Sequence, residues 1–306
     1  MTYFTNVKNK LLGALCAISV GASAFTPALA ADPIPLGNNT IVYGHAAWSS
    51  SRMLYALSRA LLEKIGYTVQ NKVLDTGIIY ASMATGQVEV FSSAWLPGQQ
   101  SYLNKYGDKL DILSFSIVPA PGGLMVPSYM PISSIEDLKK EDVAKQLDGK
   151  IIGIDAGAGI SIGTKKVIEQ YGLPLQLVAS SDAAMSTAFK AAYEQKKPIV
   201  ITGWCPHVIC ALYDVKLLDD PKHIYGQDRD LNIVSANFRT QHPRATAFLS
   251  RYTLTDKQLS QMLAWVDVDK MTDAQAVDRF IKENEALIWY MIGGLSPDIK
   301  KPASLN

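Results

Sequence analysis

Three tryptophans carry the most specific chemistry in this chain. Trp48, Trp95 and Trp204 stand in Ala-Ala-Trp-Ser-Ser, Ser-Ala-Trp-Leu-Pro and Thr-Gly-Trp-Cys-Pro-His, each just past a strand-like run. One tryptophan in such a place is ordinary packing, but three at equivalent loop positions make a set. Indole faces carry negative potential and suit a cation whose charge is spread over methyl groups. A quaternary ammonium has no N–H to donate, so hydrogen bonds cannot recognise it and aromatic faces can. A desolvated cation–π contact supplies about 2 kcal/mol, and three supply about 6 kcal/mol. Micromolar binding needs about 8 kcal/mol, so three indoles with an anchor for a carboxylate are sufficient. Sugars also stack on indoles, but their sites want many polar side chains alongside. Trp265 and Trp289 lie inside helical patterns instead and are expected in the core.

Other reactive types are sparse. His45 and His207 each lie close to a tryptophan, and a lone histidine of this kind is either a satisfied structural residue or a ligand contact. Cys205 and Cys210 are five apart, which fits a small disulfide loop, two separate buried thiols or a metal site with His207. The run Asp155-Ala156-Gly157-Ala158-Gly159 follows a strand and leads into a helix. Its third glycine, Gly163, falls one place late for a dinucleotide fingerprint, and no acid closes the next strand-like piece, Leu175 to Ala179. The small residues at 156–159 either offer backbone N–H groups to a carboxylate or form only a tight turn. Asp155 either titrates in a site or organises that turn, and Asp267, Asp269, Asp273 and Asp278 read as a solvated face. There is no G-x-S-x-G, H-E-x-x-H or G-x-x-x-x-G-K-[ST] motif and no nucleophile–base pair. The expectation is a binding protein without cofactor or metal, with an exported hydrolase of similar architecture as the rival.

The elements that position these residues alternate strand and helix, as in an α/β fold with mainly parallel sheets. Asn39 to Tyr43 reads as a strand, and Ser49-Ser50-Ser51 offers an N-cap. Met53, Leu57, Leu61 and Ile65 then mark one helix face that stops at Gly66. Further strands are expected at 67–74, 88–92, 150–154, 175–179 and 198–202, and helices at 78–85, 162–171 and 183–195, the last capped by Ser181. Ser134 opens an acidic first turn. Capping boxes at Thr255–Gln258 and Thr272–Gln275 start two tail helices. The Pro/Gly-rich stretch 119–123 suggests a boundary between lobes. In open α/β sheets ligands bind beyond the carboxyl ends of strands, so the three tryptophans would converge on one cleft.

The 306 residues hold 29 Lys+Arg against 28 Asp+Glu, without the basic excess that phosphate recognition needs, so no nucleic-acid partner is expected. Residues 1–30 read as a signal peptide. Lys8 and Lys10 precede a short apolar run, and Ala28-Leu29-Ala30 provides the small-x-small cleavage pattern. The run is too short and too broken for a span of about 20 residues. Leu15 before Cys16 does not fit a lipoprotein site. Cleavage after Ala30 removes two lysines and one cysteine, leaving a net charge of about −1 with Cys205 and Cys210 as the remaining pair.

Several ordered segments carry a family resemblance. Trp95-Leu96-Pro97, Tyr106-Gly107-Asp108, Val126-Pro127-Ser128-Tyr129, Gly153-Ile154-Asp155-Ala156-Gly157-Ala158-Gly159, Gly203-Trp204-Cys205-Pro206-His207 and Leu218-Asp219-Asp220-Pro221-Lys222 resemble the glycine betaine/choline substrate-binding proteins of ABC transporters, over about residues 38 to 290. The resemblance implies a two-lobe, type II-like periplasmic binding fold with the ligand cleft between lobes. The first lobe would take residues 31–120 and 220–306, and the second 121–219. It implies a monomer in the periplasm that serves an inner-membrane ABC permease. Tryptophans matching Trp48, Trp95 and Trp204 would cage the ammonium group, the first two from one lobe and the third from the other. The loop Ala156 to Gly159 would lie at the same cleft. Ser50 stands where choline-binding relatives carry an aspartate, and no additional aromatic stands near Gly123 to Met125. Cys205 replaces a small polar residue after the third tryptophan. These departures favour a carboxylate-bearing ligand, glycine betaine, over choline, carnitine or a sulfonium osmolyte. His45, Ser50, the backbone of Gly157 to Gly159 and His207 would then meet the carboxylate.

Overall fold

Residues 34–226 and 228–305 are described in a computed structural model, and the expected export segment lies outside them. The chain begins with β1 (Thr40–His45), α1 (Ser49–Lys64), β2 (Thr68–Val73), α2 (Thr76–Ala84), β3 (Val90–Leu96), α3 (Gln100–Tyr106) and β4 (Leu110–Ala120). It continues through β5 (Gly122–Pro127), α4 (Glu141–Gln146), β6 (Lys150–Gly153), α5 (Gly159–Tyr171), β7 (Gln176–Ala179), α6 (Asp182–Glu194), β8 (Ile201–Trp204), α7 (Val208–Leu212) and β9 (Val215–Leu217). After β10 (Asp228–Ser235) it ends in helices: α8 (Phe238–Gln241), α9 (Pro243–Leu249), α10 (Asp256–Asp267), α11 (Asp273–Glu283) and α12 (Glu285–Ile292).

The strands form two five-stranded sheets of one pattern, which is the α/β two-lobe arrangement. The first has the order β2-β1-β3-β10-β4 and the second β7-β6-β8-β5-β9. In each, three parallel strands are followed by two antiparallel ones. The chain passes between sheets twice: at Pro121, which alone separates β4 from β5, and between β9 and β10. Ile224 and Tyr225, on that second connection, pack against the core of the second sheet.

Local sequence explains much of this. Met53, Leu57, Leu61 and Ile65 are fully buried, and Gly66, at φ +107°, ends the helix in a conformation that a Cβ would oppose. Both tail capping boxes form, with Thr255 accepting from the Gln258 N–H at 3.2 Å and Thr272 from the Gln275 N–H at 3.2 Å. Ser181 caps α6 by accepting the Ala184 N–H at 3.2 Å.

The serines at 49–51 do not cap α1. Trp48 holds the N-cap position with no side-chain cap bond, and the three serines fall inside the helix, where the Ser50 and Ser51 hydroxyls serve other partners. Ser51 Oγ takes the Ala46 N–H at 3.2 Å, and Ser50 Oγ takes the Trp204 Nε1–H at 3.4 Å. The third predicted strand is longer than its apolar run, so Trp95 lies inside β3 rather than past it, in register with Asp230 of β10. Trp265 is buried as expected, with the Arg279 guanidinium 4.2 Å from its ring centroid, but Trp289 is only half-buried. Cys205 and Cys210 are joined in a disulfide with Cα atoms 6.2 Å apart.

Candidate functional site

The three tryptophans meet. Trp48, at the start of α1, and Trp95, near the end of β3, belong to the first sheet's side, and Trp204 ends β8 in the second sheet. They are 5, 8 and 4 % exposed and sit in one apolar cluster that runs from Phe91 and Ala94 across to Ile154, Ala158 and Ile201. Between them lies a cavity of about 350 Å³, including its mouth, lined also by Gln99, Gly122, Ile154, Ala158, Gly159 and Ile160. The space open to the centre of a water-sized sphere is only about 30 Å³, well below the about 300–1,000 Å³ of surveyed ligand pockets, so the rings stand close together. Trp95 and Trp204 are each followed by one residue and a cis proline, Pro97 and Pro206.

Two of the three indole N–H groups are spoken for. Trp95 Nε1 donates to Ser93 Oγ at 3.2 Å, which donates in turn to the buried Asp230 at 3.3 Å. Trp204 Nε1 donates to Ser50 Oγ across the cleft. What Trp95 and Trp204 offer the cavity is therefore carbon surface and π density, which suits a methylated cation. Gln99 is the one polar side chain in the lining, and its Oε1 already accepts the Tyr80 hydroxyl at 2.9 Å. No carboxylate lines the cavity.

The loop 156–159 is split by position. Ala158 and Gly159 reach the cavity, whereas Ala156 is exposed and Gly157 uses its carbonyl to accept the Tyr102 hydroxyl at 2.9 Å. Gly159 is required by contact: a Cβ there would lie 2.8 Å from the carbonyl carbon of Gly98 across the cleft. Asp155 is half-buried, and burial together with the charge of Asp75 pushes its carboxyl above the ordinary value.

His45 does not join the cavity. Its ring stacks on Tyr55 at 4.5 Å, its Nδ1–H goes to the Ala46 carbonyl at 2.8 Å, and it lines a separate groove with Arg52 and Asn71. Burial lowers its pKa. Ser50 and His207 stand behind the indoles rather than on the cavity wall. His207 caps α7 by accepting the Ile209 N–H on Nδ1 at 3.1 Å, and its Nε2 meets Asp182 at 2.8 Å. Both ring nitrogens are thus committed. Gln99, Ile154 and Ile160 were not legible as lining residues. The only sequence signal for Gln99 is its place four residues after Trp95, whose carbonyl accepts the Gln99 N–H at 2.7 Å.

Among the described residues no group of three His, Cys, Asp or Glu side chains could hold a metal, and no helix is long and apolar enough to cross a membrane.

Comparison with known proteins bears on the fold and the family. Residues 39–283 match the family model for the substrate binding domain of ABC-type glycine betaine transport systems. The chain is 37% identical over 149 residues to the glycine betaine/carnitine transport binding protein GbuC of Listeria monocytogenes; the match takes in 47% of this chain and 49% of that relative, so the chain spans about half the length of the curated relative it matches. It is similar to the crystal structure of lactococcal OpuAC in its closed-liganded conformation with glycine betaine, at 30% identity and a TM-score of 0.78, covering 83% of this chain and 100% of that one. A glycine betaine, L-proline ABC transporter binding protein (ProX) from Borrelia burgdorferi is similar at 26% identity and a TM-score of 0.78, over 83% of this chain and 96% of that one. With the matched family model spanning most of its length and both sheets in the corresponding fold, the chain belongs to the substrate-binding domain family of ABC-type glycine betaine transport systems.

Proposed function

We propose that this protein captures a quaternary ammonium osmolyte, glycine betaine in the first place, and delivers it to an inner-membrane ABC importer. The observation that carries the reading is the convergence of Trp48, Trp95 and Trp204, from three distant segments and two sheets, on one cavity without a lining carboxylate. Aromatic faces alone recognise a methylated cation, and the small apolar void matches a trimethylammonium head better than a sugar or peptide. Glycine betaine is preferred because two similar proteins are described with it. The first lobe takes residues 31–120 and the C-terminal part, and the second lobe the middle segment, with Ile224 and Tyr225 packed on the second core. The protein acts as a periplasmic monomer after cleavage at Ala30, and it catalyses nothing.

Calorimetric titration of the mature protein with glycine and its mono-, di- and trimethyl derivatives tests the reading. Affinity should rise with each methyl group and be highest for the quaternary cation. Equal binding of glycine and trimethylglycine would remove the cage.

A further inference from the structure

The cage leaves one buried carboxylate without a role. Asp182 is the first residue of α6, and its side chain is 11 % exposed beside the cavity. Oδ1 faces His207 Nε2 at 2.8 Å, and Oδ2 accepts the backbone N–H of Ser49 at 3.0 Å. The first contact stays on the second sheet's side, and the second crosses the cleft to the first residue of α1.

Each partner adjoins a cage wall. The His207 ring sits edge-on to Trp204 with centroids 4.5 Å apart and planes at 66°, and Ser49 directly follows Trp48. One carboxylate therefore ties the ring that backs one indole to the backbone that carries another. The next residue, Ser50, closes the same seam by accepting the Trp204 Nε1–H.

The chemistry of the seat is specific. His207 Nδ1 accepts the Ile209 N–H, so Nε2 carries the proton, and the two closest groups that face Asp182, this N–H and that of Ser49, are donors; the Ser186 hydroxyl also donates to Oδ1, at 3.4 Å. Only a group that accepts on both oxygens satisfies them: a carboxylate does, whereas a carboxamide of the same shape presents an N–H to one of the two. Ser49 also opens a 16-residue helix, whose N-terminal end favours an anion. Burial pushes the Asp182 carboxyl up, but the hydrogen bonds from His207 and from Ser49 outweigh it and hold it below its ordinary value.

We propose that Asp182 is a positioning residue of the binding site, a latch across the cleft that sets Trp48 and Trp204 at the separation the cation requires. This rests on the cage reading above. Opening the cleft breaks the Ser49 contact and leaves the His207 contact whole, so the latch acts on escape of the ligand rather than on its entry.

Stopped-flow tryptophan fluorescence of the full mature chain with glycine betaine measures both rates. Asp182→Asn should raise the dissociation rate by at least about tenfold, the worth of one charge-assisted hydrogen bond, with the association rate within about twofold. Asp182→Glu, which accepts on both oxygens, should recover part of that loss. A residue that only supports the second lobe would lower the melting temperature and leave the dissociation rate of the folded protein unchanged, and that result overturns the latch. A second readout needs no ligand. By small-angle X-ray scattering the empty Asp182→Asn chain should have a larger radius of gyration than wild type, and equal radii count against the proposal. Should wild type bind no methylated amine, the cage falls and the scattering comparison still decides the latch.

Discussion

Replacing Trp204 by alanine removes one face of the cage, and its effect can be separated from simple loss of packing. A desolvated cation–π contact is worth about 2 kcal/mol, or roughly 30-fold in Kd. Trp204 is also buried in the seam, so truncation leaves a void and costs on the order of 3–5 kcal/mol of stability. Weaker binding alone is therefore ambiguous. The ligand isostere 3,3-dimethylbutanoate resolves it, because it keeps the carboxylate and the branched head of glycine betaine and replaces N⁺ by carbon. Loss of apolar contact and loss of pocket shape affect both ligands alike; loss of cation–π attraction affects only the cation. Calorimetric titration of both ligands against wild type and Trp204→Ala forms a double-mutant cycle. The preference for betaine over the isostere should shrink by about 2 kcal/mol in the variant, and Trp204→Phe should fall between. An unchanged preference would show that Trp204 contributes shape and no cation recognition.

Four further outcomes follow from particular features of the structure. Gly159→Ala places a methyl 2.8 Å from the Gly98 carbonyl carbon and 3.0 Å from Gln99 Cγ, so it should prop the cleft open and weaken ligand binding by at least about tenfold. Gly172→Ala, at a left-handed helix end with φ +65° and open space around it, should cost about 1 kcal/mol of stability in denaturant titrations and nothing in affinity. The disulfide closes a short loop, so Cys205→Ser with Cys210→Ser should lower stability by about 2 kcal/mol on chain entropy, seen as a fall in melting temperature that reducing agent does not deepen. Asp155 has a carboxyl raised above its ordinary value of 3.8, first by burial and then by Asp75, with Tyr102 also facing it. Its protonated form is favoured in the fold, so its contribution is present below pH 3.8 and is lost as pH rises through the raised value. Asp155→Asn should therefore raise the melting temperature at pH 7 relative to wild type, with the gap closing below pH 4.

The tryptophan set was readable because its signal is positional: each indole falls at or just beyond the carboxyl-terminal part of a strand, within β3 for Trp95, at the last residue of β8 for Trp204 and three residues past β1 for Trp48. The capping boxes and the α1 face were equally local, since each depends on residues three or four apart. Strand β10 had no comparable signal. It lies antiparallel between β3 and β4, and its partners Ala94 and Phe115 are fixed by tertiary pairing more than 100 residues away in sequence. His45 misled for a related reason. Three residues before Trp48 it is near the site in sequence, but it still belongs to β1, and its ring is directed onto Tyr55 of α1. Asp182 carries no sequence signal beyond its place directly after the Ser181 cap. Its role depends on Ser49, 133 residues away, and no local pattern reports that.

The placement of β10 also has a bearing on the order in which the molecule can form. The first sheet needs β10 as its fourth strand, yet β10 comes after every strand of the second sheet. A chain emerging from the ribosome, or from an export channel, up to Leu217 holds a complete second sheet and an incomplete first one, with β3 and β4 left without their shared partner. Trp95, whose strand pairs with β10 in register with Asp230, lacks that support until residues 228–235 arrive. A chain that has not yet supplied β10 is thus blind to the solute, and surroundings already rich in it cannot trap the protein in a ligand-stabilised fold before residue 235 has emerged.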